Sequence, residues 1–462
     1  MTAPPLVTDF PRPEPTEPRP YAFPRFQRHL LGNGLTLVVA PTHTLPVVTL
    51  LAVTEAGAVA DPLGREGVAQ LTAAALAEGA AAGDGAELTR QFERLGTSFD
   101  AHADWDVALA QLTVTSSRLA EAVQLFGTVL TPPTFPAREI ERLKAERLAE
   151  LLQQRTEPRG LADDMFARFV YAEEARYARA DGGEEETVRA ITRDDVARFW
   201  AERYRPGGTT IVVAGDVAAD EARRLVERAL GAWRGEAPPP VKRDVDAPAR
   251  LTRAVHLVDK ADAPQSELRL GHVGLPRHHP DYFPVTVMNA LLGGLFNSRI
   301  NLNLRERHGY TYGAFSHFDW RRDAGPFVVS TAVANDVTHL AAQEALKEVE
   351  RFGDMDVDER ELTLATDYLD GVFPIRFETT AAIAGALGGL VTYGLPEDYY
   401  DTYRQRVRAV TPEDVRRVAR EHLHSSRLQL VVVGDAAPLR DPLEGLGFGS
   451  VTVYDADGAP RD

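Results

Sequence analysis

The sequence predicts an α+β fold with two homologous α/β units, each a mainly antiparallel sheet packed with helices. Two observations predict this fold. A segment of the first half recurs in the second half, and strand-like and helix-like patterns alternate within each half. At 462 residues the chain is also longer than a domain with a single hydrophobic core usually is. We therefore expect two domains of similar architecture.

The repeat is clearest where residues 190–217 match residues 409–436 without a gap, at an offset of 219 residues (409 − 190). Both segments open with a capping-box pattern, in which Thr192 or Thr411 is followed three residues later by Asp. Both then close in a β-branched run that ends in Gly-Asp. A gap-free match of this length indicates that the chain is an internal duplication.

The duplication divides the chain into four segments. Residues 1–24 are predicted to be a Pro-rich N-terminal arm, because they lack an apolar periodicity. Residues 25–234 and 251–462 are predicted to be the two domains. Residues 235–250, GEAPPPVKRDVDAPAR, are predicted to be the linker, because a Pro cluster with charges favours an irregular connection.

In the first half, β-branched and apolar runs predict strands, and an Ala-rich stretch with apolar residues at 68, 71, 75 and 76 predicts a helix. Two further stretches with apolar residues at helical spacing predict more helices. The predicted elements are, in chain order, strands over 35–41 and 47–57, a helix over 64–79, a strand over 107–116, and helices over 118–130 and 138–154.

The second half follows the same sequence of patterns. A strand over 267–275 precedes a helix over 281–294, and strands recur over 312–318 and 325–333. The order of strands and helices therefore agrees with the duplication that the repeat indicates.

Composition excludes several classes of protein. The formal charge of −17 disfavours binding to nucleic acid, because an acidic surface repels phosphates. The chain has no Cys, which excludes disulfides, thiol nucleophiles and Cys-bound zinc. No apolar run approaches the ~18 residues of a membrane-spanning helix, and the N-terminus lacks a signal-peptide pattern. We therefore expect a cytoplasmic protein that binds neither nucleic acid nor membrane.

The 12 His residues form neither a His-Glu-x-x-His nor a His-x-x-Glu-His motif. His278 and His279 are adjacent and are predicted to point apart, and His422 and His424 are predicted to cap a helix end. No Gly-x-Ser-x-Gly, P-loop or dinucleotide-binding pattern follows a strand either. The residues alone therefore show no complete catalytic site.

The segment GREGVAQLTAAALAEG at 64–79 resembles the zinc-binding helix of the pitrilysin/insulinase metallopeptidases, the M16 family, with a pattern of the type G-[LV]-A-H-x-x-E-H-x-x-x-x-G. Gln70 and Ala74 stand at the positions of the two His ligands, and Ala73 stands at that of the general-base Glu. An amide and two methyl groups cannot hold zinc or deprotonate water, so we expect no metal in this chain. The positions that match the pattern are Gly67, Val68, Ala69, Leu76 and Gly79.

The segment FNSRINLNLRERHGYTYGAFS at 296–316 is similar to the Arg/Tyr motif of the same family. The resemblance implies that Arg305 and Tyr312 reach over the substrate backbone. A guanidinium offers forked donors to a carbonyl or carboxylate, and a phenol can donate to an oxyanion. The alternative is that 305–307 end a solvated helix and Tyr312 is a strand core residue. The positions that match are Ser298, Arg299, Ile300, Leu304, Arg305, Glu306, Gly309, Tyr310 and Tyr312.

The family also carries a further Glu ligand eight residues before a Pro, and Glu150 stands eight residues before Pro158. Helical spacing places Glu150 nearly in line with Leu143, beside the apolar stripe. The resemblance therefore makes Glu150 a candidate vestigial ligand. The alternative is an ordinary surface Glu in a charged helix.

The short bacterial branch of this family commonly pairs two chains, one with the zinc motif and one that lacks it but supplies Arg and Tyr. The resemblance implies that this chain is the second kind: a non-catalytic, substrate-positioning subunit of a heterodimeric zinc metallopeptidase that hydrolyses peptides or unfolded polypeptides. No activity is then expected of this chain alone. It would hold no cofactor, and zinc is expected in its partner, a zinc-bearing M16 homologue.

Two other interpretations remain at the level of sequence. The chain could be a purely structural M16 homologue, like the scaffold subunits that the family contributes to respiratory complexes. Retention of Arg305 and Tyr312 argues against this, because a scaffold needs neither side chain. A self-sufficient enzyme with an unrelated site is a third interpretation, but no constellation of residues supports it.

Overall fold

The computed structural model describes residues 19–241, 250–261 and 263–461. Residues 1–18 of the predicted arm and residues 242–249 of the predicted linker therefore lie outside the described residues.

The first half forms one six-stranded sheet and a small two-stranded one, covered by helices. The strands are β1 (Gln27–Leu30), β2 (Thr36–Pro41), β3 (Val47–Thr54), β4 (Gly79–Ala80), β5 (Gly83–Asp84), β6 (Asp100–Ala103), β7 (Ala108–Thr115) and β8 (Thr209–Gly215). The helices are α1 (Val68–Ala74), α2 (Gly85–Arg94), α3 (Leu119–Leu130), α4 (Ala137–Thr156), α5 (Pro158–Val170), α6 (Glu185–Ala190), α7 (Arg193–Arg203) and α8 (Ala219–Leu230).

The second half forms one seven-stranded sheet with its own helices. The strands are β9 (Ala254–Asp259), β10 (Ser266–Val273), β11 (Ala314–Phe318), β12 (Pro326–Val333), β13 (Gln429–Gly434), β14 (Ser450–Tyr454) and β15 (Pro460–Arg461). The helices are α9 (Tyr282–Asn289), α10 (Arg299–Asn301), α11 (Thr338–Phe352), α12 (Glu359–Val372), α13 (Thr380–Tyr393), α14 (Tyr399–Arg408), α15 (Pro412–His422) and α16 (Ala436–Glu444). Turns of π-helix, Ala290–Gly294 and Leu302–Arg307, extend α9 and α10.

The two sheets share one topology. The first runs β1-β2-β8-β3-β7-β6, and the second runs β11-β12-β10-β13-β9-β14-β15. Five strands correspond: the run β2-β8-β3-β7-β6 of the first sheet matches the run β9-β13-β10-β12-β11 of the second. In each run the first two strands are parallel to each other, and the other neighbouring strands are antiparallel. The sheets differ beyond β2 and β9, where β1 is antiparallel and β14 is parallel. The predicted α+β fold with a duplicated, mainly antiparallel sheet is confirmed.

The repeated segment forms the same local structure in both halves. Thr192 and Thr411 each cap a helix through the predicted capping box, and each accepts a hydrogen bond from the backbone N–H of the Asp three residues on. The helices that follow, α7 and α15, both have 11 residues. A side chain that satisfies an otherwise unpaired N–H fixes where the helix begins, which is why the sequence predicts these two starts accurately.

One helix of each half packs on the sheet of the other half. Helix α5 packs on β10 and β13, and α13 packs on β3 and β8. A hydrogen bond of 2.8 Å joins the hydroxyls of Thr49 in β3 and Thr380 in α13 across this contact. Because α5 and α13 each pack on the sheet of the other half, neither sheet would be fully covered by the helices of its own half.

The β11–β12 hairpin also reaches the first half. Arg322 at its tip donates to both carboxylate oxygens of Glu55, at 2.5 and 2.6 Å. Next to it, the guanidinium of Arg321 lies 4.4 Å from the ring of Trp105 and 4.6 Å from that of Tyr177. Charge pairing and cation–π contact therefore hold the halves together at this point.

The described end of the predicted arm lies on the second half. Residues 19–24 form neither helix nor strand. Phe23 is buried, with its ring 4.5 Å from the ring of Tyr400 and 5.1 Å from that of Phe377. Among the described residues, none of the helices combines the length and the apolar character needed to cross a membrane.

Candidate functional site

Helix α1 carries the degenerate zinc motif, and its start is set by Asp61. The carboxylate of Asp61 accepts hydrogen bonds from the N–H groups of Gly67 at 2.8 Å and Ala69 at 2.9 Å. The helix therefore begins at Val68, later than the predicted residue 64, and ends after seven residues in a 3-10 turn. Gly67 has a φ of 98°, a left-handed conformation that favours glycine at this entry.

The side chain of Asp61 is fully buried and pairs with Arg176, whose Nη2 lies 3.0 Å from the Asp61 Oδ2. Burial raises the pKa of Asp61 to about 6, although Arg176 and the two N–H groups act to lower it. Arg176 belongs to a segment, residues 171–184, that follows α5 and lies over α1.

Further contacts fasten the segment 171–184 to the start of α1. Arg179 donates to the buried carboxylate of Glu66 at 2.8 Å. A Cβ on Gly183 would lie 2.1 Å from the carbonyl oxygen of Glu66, so the backbones meet more closely than a side chain allows. Thr187, just beyond the segment, donates to the same carbonyl at 2.9 Å. The polar groups around α1 are therefore largely satisfied within this chain.

The three degenerate positions differ in burial. Ala73 is buried in the core of the first half, Ala74 is exposed, and Gln70 is half-buried. The Oε1 atom of Gln70 is buried and has no hydrogen-bond donor in the part of the chain that the structure describes.

Glu150 lies on α4, and its carboxylate contacts Arg147 rather than a second acidic or imidazole group. Arg147 Nη1 donates to Glu150 Oε2 at 3.2 Å, and Arg147 Nε donates to the carbonyl oxygen of Gly182 at 3.1 Å. A Cβ on Gly182 would lie 2.1 Å from Arg147 Nη2 and 2.3 Å from Gln70 Oε1. Arg147 therefore contacts Glu150 with one nitrogen and lies near Gln70 with another.

These residues do not suit zinc. Structural and catalytic zinc sites use three or four imidazole, thiolate or carboxylate ligands. The described residues at this position offer one carboxylate, already paired with Arg147, and an amide. We therefore assign no metal-dependent step to this chain.

Arg305 and Tyr312 lie on either side of a turn between α10 and β11. The π-helical turn ends after Arg307, and Gly309 adopts a φ of 67° to reverse the chain. Tyr312 comes just before β11 and is 94% exposed. Tyr312 is therefore not a strand core residue, which was the alternative to a role at the surface.

Arg305 is only partly paired. Its side chain is 34% exposed, its Nε lies 3.5 Å from the exposed Glu306, and its guanidinium lies 4.5 Å from the ring of Phe296. Several large apolar side chains within about ten residues of it in the sequence are exposed as well. We call the following set the arginine–tyrosine surface: Phe296, Leu302, Arg305, Tyr312 and Phe315.

The predicted site residues fall into two separate groups. No hydrogen bond, ion pair or ring contact among the described residues joins Arg305 or Tyr312 to the degenerate zinc position. We use that name for the following set: Gln70, Ala73, Ala74 and Glu150.

Sequence reasoning missed two features of these sites. Arg147 stands three residues before Glu150, and helical spacing of three residues places both on one face, so the pairing was readable from the sequence. The second feature is a cluster of His279, Asp281 and His422, whose ligand atoms lie within 4.8 Å of one another. It joins residues far apart in sequence, and Arg417 already binds its carboxylate at 2.7 and 3.0 Å.

Two models of one protein family match the chain. The model described as Insulinase (Peptidase family M16) matches residues 37–178, and the one described as Peptidase M16 inactive domain matches residues 190–369.

Individual relatives agree with these matches. An uncharacterized zinc protease of Streptomyces coelicolor is 25% identical over 363 residues, which is 77% of this chain and 77% of that protein. A non-peptidase homolog of Helicobacter pylori is 22% identical over 321 residues, 68% of this chain and 72% of that one. The crystal structure of a peptidase M16 inactive domain from Pseudomonas fluorescens superposes with a TM-score of 0.83 and 27% identity, covering 89% of this chain and 98% of that one.

Proposed function

The chain belongs to the insulinase (M16) family of peptidases, and from that premise we propose that it is a non-catalytic, substrate-positioning subunit of a heterodimeric zinc metallopeptidase. Its partner would be a zinc-bearing homologue that supplies the metal, the metal's ligands and the base that activates water. The substrates would be peptides or unfolded polypeptides, because only an extended chain presents its backbone to two subunits at once.

The exposure of Tyr312 is the observation that carries this proposal. A tyrosine that only stabilised the fold would bury its ring, yet Tyr312 is 94% exposed and contacts no other aromatic ring among the described residues. No side chain or backbone group in the described parts of the chain forms a hydrogen bond with its phenol hydroxyl. A donor held at the surface beside a turn suits a group that acts on another molecule.

Arg305 complements Tyr312 chemically. Its guanidinium is held against the face of Phe296, which limits its motion while leaving N–H donors free for a substrate carbonyl or carboxylate. Phe296 and Phe315 would exclude water when a peptide lies across the surface, and a drier site strengthens both hydrogen bonds. Arg305 would therefore hold the substrate backbone, and Tyr312 would donate to the oxyanion that forms as the peptide bond is attacked.

The second candidate is a structural homologue without a part in catalysis. Similarity to the Helicobacter pylori relative, a non-peptidase homolog, keeps this candidate open. A structural homologue needs neither a solvent-exposed tyrosine nor a partly unpaired arginine in the segment 305–312, so we favour the positioning subunit.

The test is to reconstitute the chain with a zinc-bearing M16 homologue from the same genome and to assay a quenched peptide. The isolated chain should be inactive. Tyr312→Phe in the assembled heterodimer should lower kcat by ~10²–10³, because one oxyanion donor is removed. Arg305→Ala should act mainly on KM, because its hydrogen bonds are made with bound substrate.

Matched controls are Tyr368→Phe, at another exposed tyrosine, and Arg307→Ala, at an exposed arginine two residues from Arg305. Both should retain activity. Full activity of the Tyr312→Phe heterodimer, or chelator-sensitive peptide turnover by this chain alone, would refute the proposal. Failure of any zinc-bearing homologue to associate would favour the structural candidate.

A further inference from the structure

The degenerate zinc position contains a cation of its own. Arg147 reaches it from α4, one turn before Glu150, and its side chain is only 17% exposed. Two other arginines of the same helix, Arg142 and Arg155, have side chains 42% and 40% exposed and pair with surface carboxylates. Arg147 is thus the arginine among these three that turns inward.

Each donor of Arg147 faces the residues that the motif assigns to metal binding or the segment that covers them. Nη1 donates to Glu150, Nη2 shares the narrow space at Gly182 with Gln70 Oε1, and Nε donates to the Gly182 carbonyl oxygen. The buried Gln70 Oε1, which lacks a hydrogen-bond donor, therefore lies beside a positive charge.

The surroundings of Arg147 are acidic. Burial, and then the neighbouring Asp163, raise the pKa of Asp164 to about 6, whereas Arg147 acts to lower it. Asp181 and Glu184, in the segment that covers the position, add further negative charge near Asp164. The Glu150 side chain is 64% exposed, but Asp164 is half-buried, and there a guanidinium with several donors offsets the negative charge without imidazole ligands.

We propose that Arg147 is the resident cation of the degenerate zinc position: its guanidinium neutralises Glu150, fastens the segment around Gly182 over α1, and closes the position to a metal ion. The inference concerns the isolated chain and does not depend on the heterodimer. It also means that restoring the imidazoles alone does not restore a zinc site, because Glu150 remains engaged by Arg147.

The first test measures zinc in purified variants by elemental analysis and calorimetric titration. Ala73 is left unchanged, because a carboxylate at that buried position would endanger folding. The variant Gln70→His/Ala74→His should bind no stoichiometric zinc. Adding Arg147→Ala should release Glu150 and give about one zinc per chain through two imidazoles and a carboxylate. Adding Glu150→Gln to that triple variant should abolish tight binding.

The control is Arg155→Ala in the double-His background, which removes a surface arginine from the same helix and should leave the chain without zinc. Equal zinc binding by the double-His variant with and without Arg147→Ala would overturn the proposal. So would a folded triple variant, verified by circular dichroism, that binds no zinc.

A second measurement needs no introduced ligand. In the otherwise unchanged chain, Arg147→Ala should speed hydrogen–deuterium exchange in residues 180–184 at least tenfold relative to Arg155→Ala, because the hydrogen bond to the Gly182 carbonyl is lost. Unchanged exchange in a folded Arg147→Ala variant would contradict the fastening role.

Discussion

The two halves of the molecule share one sheet topology but differ in how far the polar side chains of their motifs are paired within the chain. In the first half, the charged groups around α1 pair within the chain, as Asp61 does with Arg176 and Glu150 with Arg147. In the second half, the arginine–tyrosine surface leaves Tyr312 exposed and Arg305 partly unpaired. One motif is closed and the other is open.

The difference shows that two motifs on similar frameworks can differ in their polar groups, which are paired within the chain in the first motif and partly unpaired in the second. Both motifs stand on the same framework, because apolar residues in the strands and helices decide the framework. The first motif contains the ion pairs Asp61–Arg176 and Glu150–Arg147. In the second, Arg305 is only partly paired and Tyr312 is exposed, which is why we propose a role for the second motif and not for the first.

Removing the carboxylate that closes the first motif should have the largest effect on stability. Asp61→Ala leaves two helix N–H groups and the shielded Arg176 without their acceptor, and should lower the free energy of unfolding by about 3–5 kcal/mol. Urea denaturation measures it. The matched control is Asp84→Ala, an exposed cap of α2, which should cost about 0.5–2 kcal/mol. Equal costs would break the contrast between a closed site and a solvated cap.

A smaller effect should appear in the pH dependence of stability, with opposite signs for Asp61 and Asp281. Burial raises the pKa of Asp61 to about 6, and in the unfolded chain it returns to about 4. Its contribution to stability is therefore fully present below about pH 4 and is lost as the pH rises through about 6. Hydrogen bonding from Arg417 lowers the pKa of Asp281. Its contribution is present above about pH 4 and is lost as the pH falls further.

Urea denaturation of Asp61→Asn and Asp281→Asn across pH checks both signs. The advantage of the unmodified chain over Asp61→Asn should grow by about 1–3 kcal/mol between pH 7 and about pH 4. Its advantage over Asp281→Asn should shrink below about pH 4. Differences that move in the same direction for both variants would contradict the assignment of burial as the dominant cause at Asp61.

The smallest effect is expected at the open surface. Tyr312→Ala should change the free energy of unfolding of the isolated chain by less than about 0.5 kcal/mol, because the exposed ring contributes little to packing. The same truncation at the buried Tyr204 should cost about 3–5 kcal/mol. A large loss of stability in Tyr312→Ala would indicate a structural role and weaken the comparison.

The elements that the sequence predicted have strong local signals, and some of those that it missed depend on distant contacts. The strands at 47–54 and 108–115, and the capping boxes at Thr192 and Thr411, follow from periodicity and local hydrogen bonding. The start of α1 was misplaced, because Asp61 caps it from outside the predicted helix. The short strands β1 and β6 were not predicted, since pairing with a neighbour stabilises them more than their own residues do.

The sequence by itself determined the duplicated α+β framework, the membership in the family and the chemical inability of Gln70, Ala73 and Ala74 to hold zinc. These properties depend on residue identity and spacing, which the sequence contains. Only the tertiary structure decided that Tyr312 is exposed and that the largely buried side chain of Arg147 pairs with Glu150. It also decided that α5 and α13 each pack on the sheet of the other half. Burial and charge pairing depend on which distant segments meet, and the apolar periodicity of one segment does not specify its partner.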